Sequence, residues 1–183
     1  MDAIDLLLGR VSPAQLAEPG PGSDQLQKIL AAAARAPDHG KMQPWRFLVI
    51  EGPGRERLGE LMAQSLLRRE PEAPAGKIDS ERKKALRSPL VVVVAAAVKE
   101  NPKVPDVEQI VAAGAACQSM LLAAHALGFG GLWRTGPIAY DAEVKRALGF
   151  ADGDAIVGII YLGSIAVAGA PKSAEVAAVT RRW

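Results

Sequence analysis

The stretch LVVVVAAAV at residues 90–98 constrains the fold more than any other part of the sequence. It is apolar throughout and β-branched in its first half, and it lacks the alternation of a strand with one solvent-exposed face. Such runs are typical of central strands that are covered on both faces. AIVGIIYLG at residues 155–163 has the same character, and WRFLVIE at residues 45–51 alternates before it becomes apolar.

Helical patterns separate these three strands, and no hairpin turn joins them. A glycine-rich segment, GFGGLWRTG, leads into a fourth strand, residues 71–77 form a proline-broken loop, and the pattern after Gly163 is weak. Strands separated by helices predict an α/β or α+β sandwich in which helices cover the sheet. The predicted helices occupy residues 2–9, 23–35, 54–70, 78–88, 105–127 and 141–150.

Length and composition predict one domain over residues 1–183. Hydrophobic residues make up 49% and charged residues 23%, which is typical of globular proteins. The net charge of +2 excludes the broad positive field that a nucleic-acid partner requires. The only cysteine, Cys117, excludes an internal disulfide and a cysteine-based zinc cluster, and we expect it to be buried.

Nothing in the sequence predicts a membrane partner. The longest apolar run is well below the about 18 residues that span a bilayer, and the N-terminus MDAIDLLLGR carries acids rather than a basic leader. We therefore expect a cytoplasmic protein. Small residues fill the middle of the helix predicted at 105–127, which allows close approach of another helix, within the chain or across a subunit interface.

Common catalytic motifs are missing from the sequence. It contains no phosphate-binding P-loop, no H-E-x-x-H metal motif, no EF-hand loop and no G-x-S-x-G serine elbow. GFGGLW resembles part of a dinucleotide fingerprint, but it follows a helix and precedes a strand, the reverse of the required order. The remaining candidates are cations and hydroxyls at the ends of elements.

Arg10 and Ser12 follow the first predicted helix and form the first candidate cluster. A guanidinium presents a fork of donors that matches phosphate oxygens, and a serine hydroxyl adds a neutral donor beside it. Together they are able to hold one phosphate group. Taken alone, Arg10 also fits a solvated cation at a helix C-terminus, where the helix dipole favours positive charge.

Arg35 and His39 form the second cluster, in a segment too polar and glycine-rich for the core. His125, by contrast, lies on an apolar helix face and is expected to pack there. Trp133, Arg134 and Thr135 form the third cluster, where the preceding glycines allow the backbone to approach a flat ligand closely.

At these three clusters the chain resembles the nitroreductase family of flavin mononucleotide (FMN) enzymes, in particular its short YdjA-like bacterial branch. MDAIDLLLGRVS resembles the family's first helix, which ends in R-R-S. AAARAPDHGKMQPWRFLVIEG is similar to its A-P-x-x-x-N-x-Q-P-W-x-F segment, the most specific match. GAACQSMLLAAHALGFGGLWRTG resembles the long central helix and the strand that faces the flavin.

The resemblance implies a homodimer of α+β subunits, each with a mostly antiparallel sheet covered by helices. It also implies FMN bound noncovalently at the subunit interface and reduced by NADH or NADPH. Arg10 and Ser12 match residues that contact the FMN phosphate and ribityl chain. The other matching positions are Arg35 and His39, expected at the neighbouring subunit's flavin, and the flavin-edge residues Trp133, Arg134 and Thr135.

Three positions depart from the family pattern. Val11 replaces a second arginine, Gln15 replaces another basic residue, and Lys41 replaces an asparagine. The first two changes predict weaker phosphate binding. The helical excursion that covers the active site of larger members is also missing, so we expect an open substrate pocket.

The implied reaction is ping-pong hydride transfer through FMN N5 to a nitroaromatic, a quinone or a similar electron-poor small molecule. The protein would orient the ring and place positive charge near N1 and O2. Arg10, Arg35 and Lys41 are equal candidates for that charge. Alternatives are a non-enzymatic FMN carrier, a related enzyme of other chemistry such as reductive dehalogenation or oxygen-dependent flavin cleavage, and a sensor without flavin.

Overall fold

A computed structural model describes residues 2–170 and 175–183. The strands predicted at residues 45–51, 90–98 and 155–163 are all present. The strands are β1 (Gln15–Ala17), β2 (Trp45–Glu51), β3 (Leu90–Ala96), β4 (Gly130–Arg134) and β5 (Ala155–Val167). The α-helices are α1 (Ala3–Gly9), α2 (Ser23–Ala33), α3 (Pro53–Arg69), α4 (Ala75–Lys83), α5 (Asp106–Ala126) and α6 (Ala142–Ala147).

Several helices begin at residues that supply the groups a helix start requires. The Asp2 carboxylate accepts hydrogen bonds from two N–H groups of the first turn of α1, at 2.7 and 3.0 Å. Asp141 caps α6 in the same way and also accepts a 2.7 Å bond from Nη2 of Arg68. Pro53 occupies the first turn of α3, where no N–H partner is needed.

β5 joins the sheet together. It pairs with β3 over most of its length, with β4 on its other side, and with β1 at its C-terminal end. β2 pairs with β3 and is an edge strand among the described residues. Every one of these pairs is antiparallel, so the predicted mostly antiparallel sheet, covered by helices, is confirmed.

β3 is buried on both faces, as its uniform apolarity predicted. Val91 and its alternate neighbours pack in a core that includes Leu58 of α3. Val92 faces the opposite core, which includes Met120 of α5. All seven residues of β3 are buried, so neither face of the strand is exposed to solvent and a polar side chain would be disfavoured at every position.

Two parts of the chain differ from the sequence prediction. β5 continues to Val167, past the expected end at Gly163, because β1 pairs with this extension and the N–H of Ala14 donates to the carbonyl of Val167 at 3.0 Å. The three residues of β1 are too few for a detectable period. α4 begins at Ala75, inside the predicted loop, and residues 171–174 of the weakly patterned tail lie outside the described residues.

α5 packs its small residues within the chain. Ala113, Ala116 and Cys117 are fully buried against the sheet and α2, as expected for Cys117, and burial raises the pKa of this thiol to about 12. His125 is only half-buried. By length and hydropathy α5 alone among the described helices is able to cross a membrane, but core helices meet the same criteria.

The loop before β2 has an unusual backbone. Gly40, Lys41 and Gln43 have φ values of 69°, 55° and 46°. Residues with a side chain lose about 1–2 kcal/mol in this left-handed region. The Asp38 carboxylate holds the loop by accepting a 2.6 Å bond from the N–H of Gln43, so the conformation is imposed by contacts rather than by the residue types.

We expect Gly59→Ala and Gly76→Ala to change stability in opposite directions. A Cβ at Gly59 would lie 2.4 Å from the carbonyl oxygen of Arg82, where α3 and α4 touch, whereas a Cβ at Gly76 meets nothing within 4 Å. Gly59→Ala should cost about 1–3 kcal/mol. Gly76→Ala should add about 0.4–1 kcal/mol because alanine favours the helix. Urea unfolding midpoints of both variants check this, and equal midpoints would contradict it.

Lys41→Gly should stabilise the protein, since glycine adopts a positive φ without strain. We expect a gain of about 0.5–1 kcal/mol, less than the full strain because glycine also gains freedom in the unfolded chain. The matched control is Lys28→Gly, which places glycine at an exposed position inside α2 and should cost about 1 kcal/mol. A loss of stability in Lys41→Gly, measured by urea unfolding, would contradict the assignment of strain.

Candidate active site

Arg10 lies at the end of α1, where the chain leaves the helix with extended backbone angles. Its Nη1 atom is buried and has no hydrogen-bond partner among the described residues. Leaving such a charged donor unsatisfied costs more than about 1–3 kcal/mol, so an anionic oxygen is the complement this atom lacks. Ser12 is exposed two residues further on, which suits a second donor to the same group.

The segment after Ser12 packs against the start of β4. A Cβ on Gly130 would lie 2.6 Å from Cδ2 of Leu16 and 3.0 Å from Cγ of Pro13, and one on Gly131 would lie 2.6 Å from Leu121. From the sequence we expected these glycines to let the backbone approach a ligand. In the structure they instead allow close packing within the chain. The fold thereby places the segment that follows the first candidate cluster beside β4, the strand that leads to the third.

Trp133 anchors β4 to the neighbouring strand β5. Its indole N–H donates a 3.0 Å hydrogen bond to the carbonyl of Val157, and the ring is half-buried against α5 and β5. Arg134 and Thr135, in contrast, are exposed at the end of the strand. The side chains of these two residues and the backbone around them are thus available to a ligand.

Arg35 and His39 lie on different sides of their loop. Arg35 and Lys41 line a cavity of about 260 Å³ together with Asp38 and Gln43. His39 lines another, of about 320 Å³, and its Nδ1 pairs with the carboxylate of Glu108 at the start of α5.

Neither of these two cavities includes Arg10 or any residue of β4. Within the described part of one chain, the second cluster therefore shares neither of these cavities with the other two.

Sequence reasoning missed three residues that face these surfaces. Glu108 carries no sequence signal because its partner His39 is 69 positions away. Arg87 and Tyr161 line a cavity with Arg134 beside the segment that follows Ser12. Neither carried a distinctive signal, since Arg87 lies at the end of a charged segment predicted as a helix and tyrosine is common in strands.

The sequence of this chain is similar to those of known proteins over most of its length. The sequence profile of the nitroreductase family matches residues 16–164. The chain is 47% identical over 164 residues to YdjA of Escherichia coli K12, a protein provisionally named an NAD(P)H nitroreductase, covering 90% of this chain and 88% of YdjA. Arg10 and Ser12 precede the matched profile, so their assignment depends on the geometry described above.

Solved structures share the whole fold. A nitroreductase-like protein from Bacillus cereus superposes with a TM-score of 0.86 at 26% identity, covering 100% of this chain and 96% of the other. A Desulfovibrio desulfuricans protein solved in complex with FMN gives a TM-score of 0.76 at 25% identity, covering 100% and 98%. Together with the profile match, these similarities show that the chain belongs to the nitroreductase family.

Proposed function

We propose that this chain is an FMN-dependent oxidoreductase that uses NADH or NADPH to reduce nitroaromatics, quinones or similar electron-poor acceptors. The buried, unpartnered Nη1 of Arg10 carries the proposal, because it marks an anion site where the family resemblance expects the FMN phosphate. The FMN-bound structural neighbour and the NAD(P)H relative support the same cofactors. Residues 1–183 would form a single domain, and the protein would act in the cytoplasm.

The residues present fit FMN. Arg10 and Ser12 would hold the phosphate, and Trp133 would keep β4 in place while the exposed Arg134 and Thr135 meet the ring. When bound, FMN supplies hydride chemistry at N5, accepting from the nicotinamide and donating to the acceptor in turn, which predicts ping-pong kinetics. The chain's own contribution is orientation and positive charge, so no side chain needs to act as acid or base.

A second copy of the chain would complete the site. α1 and α5 pack together, and each exposes large apolar side chains that have no partner among the described residues. Ile4 and Leu8 are 61% and 81% exposed, and Val107 and Val111 are 63% and 65% exposed. Association through these helices would bring Arg35 and His39 of one subunit to the flavin of the other, as the family resemblance implies.

Arg10→Ala should weaken FMN binding by about 1.5–3 kcal/mol, the value of a hydrogen bond to a charged group. Fluorescence titration of the FMN-free protein with FMN measures this change. Arg69→Ala is the matched control because Arg69 is exposed at the end of α3, far from the candidate clusters in sequence. Unchanged affinity in Arg10→Ala would contradict the assignment of Arg10 to the FMN phosphate.

Anaerobic mixing with excess NADH or NADPH should bleach the visible absorbance of protein-bound FMN. Addition of a quinone or a nitroaromatic should then restore the absorbance. Bound flavin that stays oxidised with both nucleotides would indicate a carrier. Protein that is colourless and does not take up FMN would indicate a sensor, and flavin that bleaches but reoxidises only with halogenated acceptors or oxygen would indicate one of the other chemistries.

A further inference from the structure

The sheet is irregular at one point close to the candidate site. Gly158 and Ile156 of β5 pair with two consecutive residues of β3, so Val157 between them is an extra residue, a β-bulge. Such a bulge interrupts the regular ladder and redirects the backbone and side chains around it. β4 pairs with residues 159–163 of β5. The bulge therefore lies directly past the end of β4.

The side chain of Trp133 reaches from β4 to this bulge. Trp133 lies opposite Ile160, and its indole N–H donates a 3.0 Å hydrogen bond to the carbonyl of Val157, past the last backbone pair of the two strands. An indole N–H that is taken out of water needs an acceptor. The bulge supplies that acceptor, so the one residue of β5 outside the regular pairing with β3 holds the side chain of β4.

Gly158 leaves the space that the indole occupies. A Cβ at this position would lie 2.8 Å from Nε1 of Trp133 and 2.9 Å from Sγ of Cys117, whereas ordinary van der Waals contact begins at 3.4 Å. Gly158 is buried, and it is not among the glycines with a positive φ. The position therefore requires the absence of a side chain and not the backbone freedom of glycine.

α5 closes the other side of the indole ring. A Cβ on Gly114 would meet Cη2 of Trp133 at 3.8 Å, an ordinary contact. Cys117, on the same helix, is fully buried and belongs with Ile160 of β5 to one core cluster. With β5 on one side and α5 on the other, a Cβ on Gly158 would force the ring to move along the strand or toward solvent.

We propose that Val157 and Gly158 are positioning residues for the ligand-facing end of β4. The carbonyl at the bulge holds the indole of Trp133, and the missing side chain of Gly158 gives the ring its space. Arg134 and Thr135 directly follow Trp133 and are exposed, so the place of the indole determines where they meet a ligand. The identity of that ligand as FMN rests on the proposed function, whereas the placement of Trp133 does not.

Hydrogen exchange of the indole N–H groups, followed by NMR in the full-length chain without FMN, tests this placement. The chain contains three tryptophans, and Trp133→Phe identifies the signal of Trp133. Gly158→Ala should speed exchange of that indole N–H by about tenfold or more, because the hydrogen bond to Val157 is lost. Gly114→Ala is the matched control, since its Cβ meets the same ring at an ordinary distance and should leave the exchange rate unchanged.

Protein saturated with FMN tests the consequence for the ligand. Gly158→Ala should change the visible circular dichroism of the bound flavin. It should also slow anaerobic reduction of that flavin by NADH or NADPH about tenfold, because a misplacement of about 1 Å costs up to about a hundredfold in rate. Gly114→Ala should match the wild type in both measurements. A purely structural role of Gly158 would lower the thermal unfolding midpoint and leave both unchanged.

Two results would overturn the proposal. One is an indole N–H of Trp133 that keeps its wild-type exchange rate in Gly158→Ala, and the other is faster exchange with unchanged dichroism and reduction of the bound flavin. Combining Cys117→Ala with Gly158→Ala removes the close contact to sulfur and keeps the test decisive if Gly158→Ala alone does not fold. Wild-type protein that takes up no FMN would contradict the proposed function alone, and the exchange rates would still support or overturn the placement of Trp133.

Discussion

Antiparallel pairing along β5 is the constraint on which the rest of the structure depends. This strand contacts three others, and its C-terminal extension to Val167 holds β1. β1 begins three residues after Ser12, so this pairing carries the end of α1 to the start of β4. Without it, Arg10 and the flavin-edge strand would lie in unrelated parts of the molecule. Strand pairing in the sheet therefore positions the residues of the candidate site, although almost none of them lies within β5.

Close packing and ligand access compete at this end of the sheet, and the sequence assigns different residues to each. Gly130 and Gly131 give their space to Leu16 and Leu121, so β4 is held tightly at its beginning. Arg134 and Thr135, at its end, remain exposed. A strand fixed at one end presents its other end in a defined position, which is what orientation of a flat ring requires.

Positive charge is distributed unevenly among the candidate residues. Arg10, Arg87 and Arg134 all lie near the segment that follows α1, and none of their side chains has an ion-pair partner within the described ranges. His39 instead faces the Glu108 carboxylate, which offsets positive charge there. The three arginines near this segment therefore offer local contacts to an anionic ligand.

Local sequence was sufficient to predict β2, β3 and the long helix α5, because an apolar run or a helical period indicates directly which residues are buried. It was also sufficient for the family, through motifs such as QPWRF that lie within one segment. It was insufficient for β1, which is too short to show a period, and for the left-handed backbone at Lys41, where a lysine gives no signal. The meeting of Arg87 with Tyr161 and of His39 with Glu108 was decided by the tertiary structure alone. Such contacts join residues far apart in the chain, and only strand register and helix packing determine which of them meet.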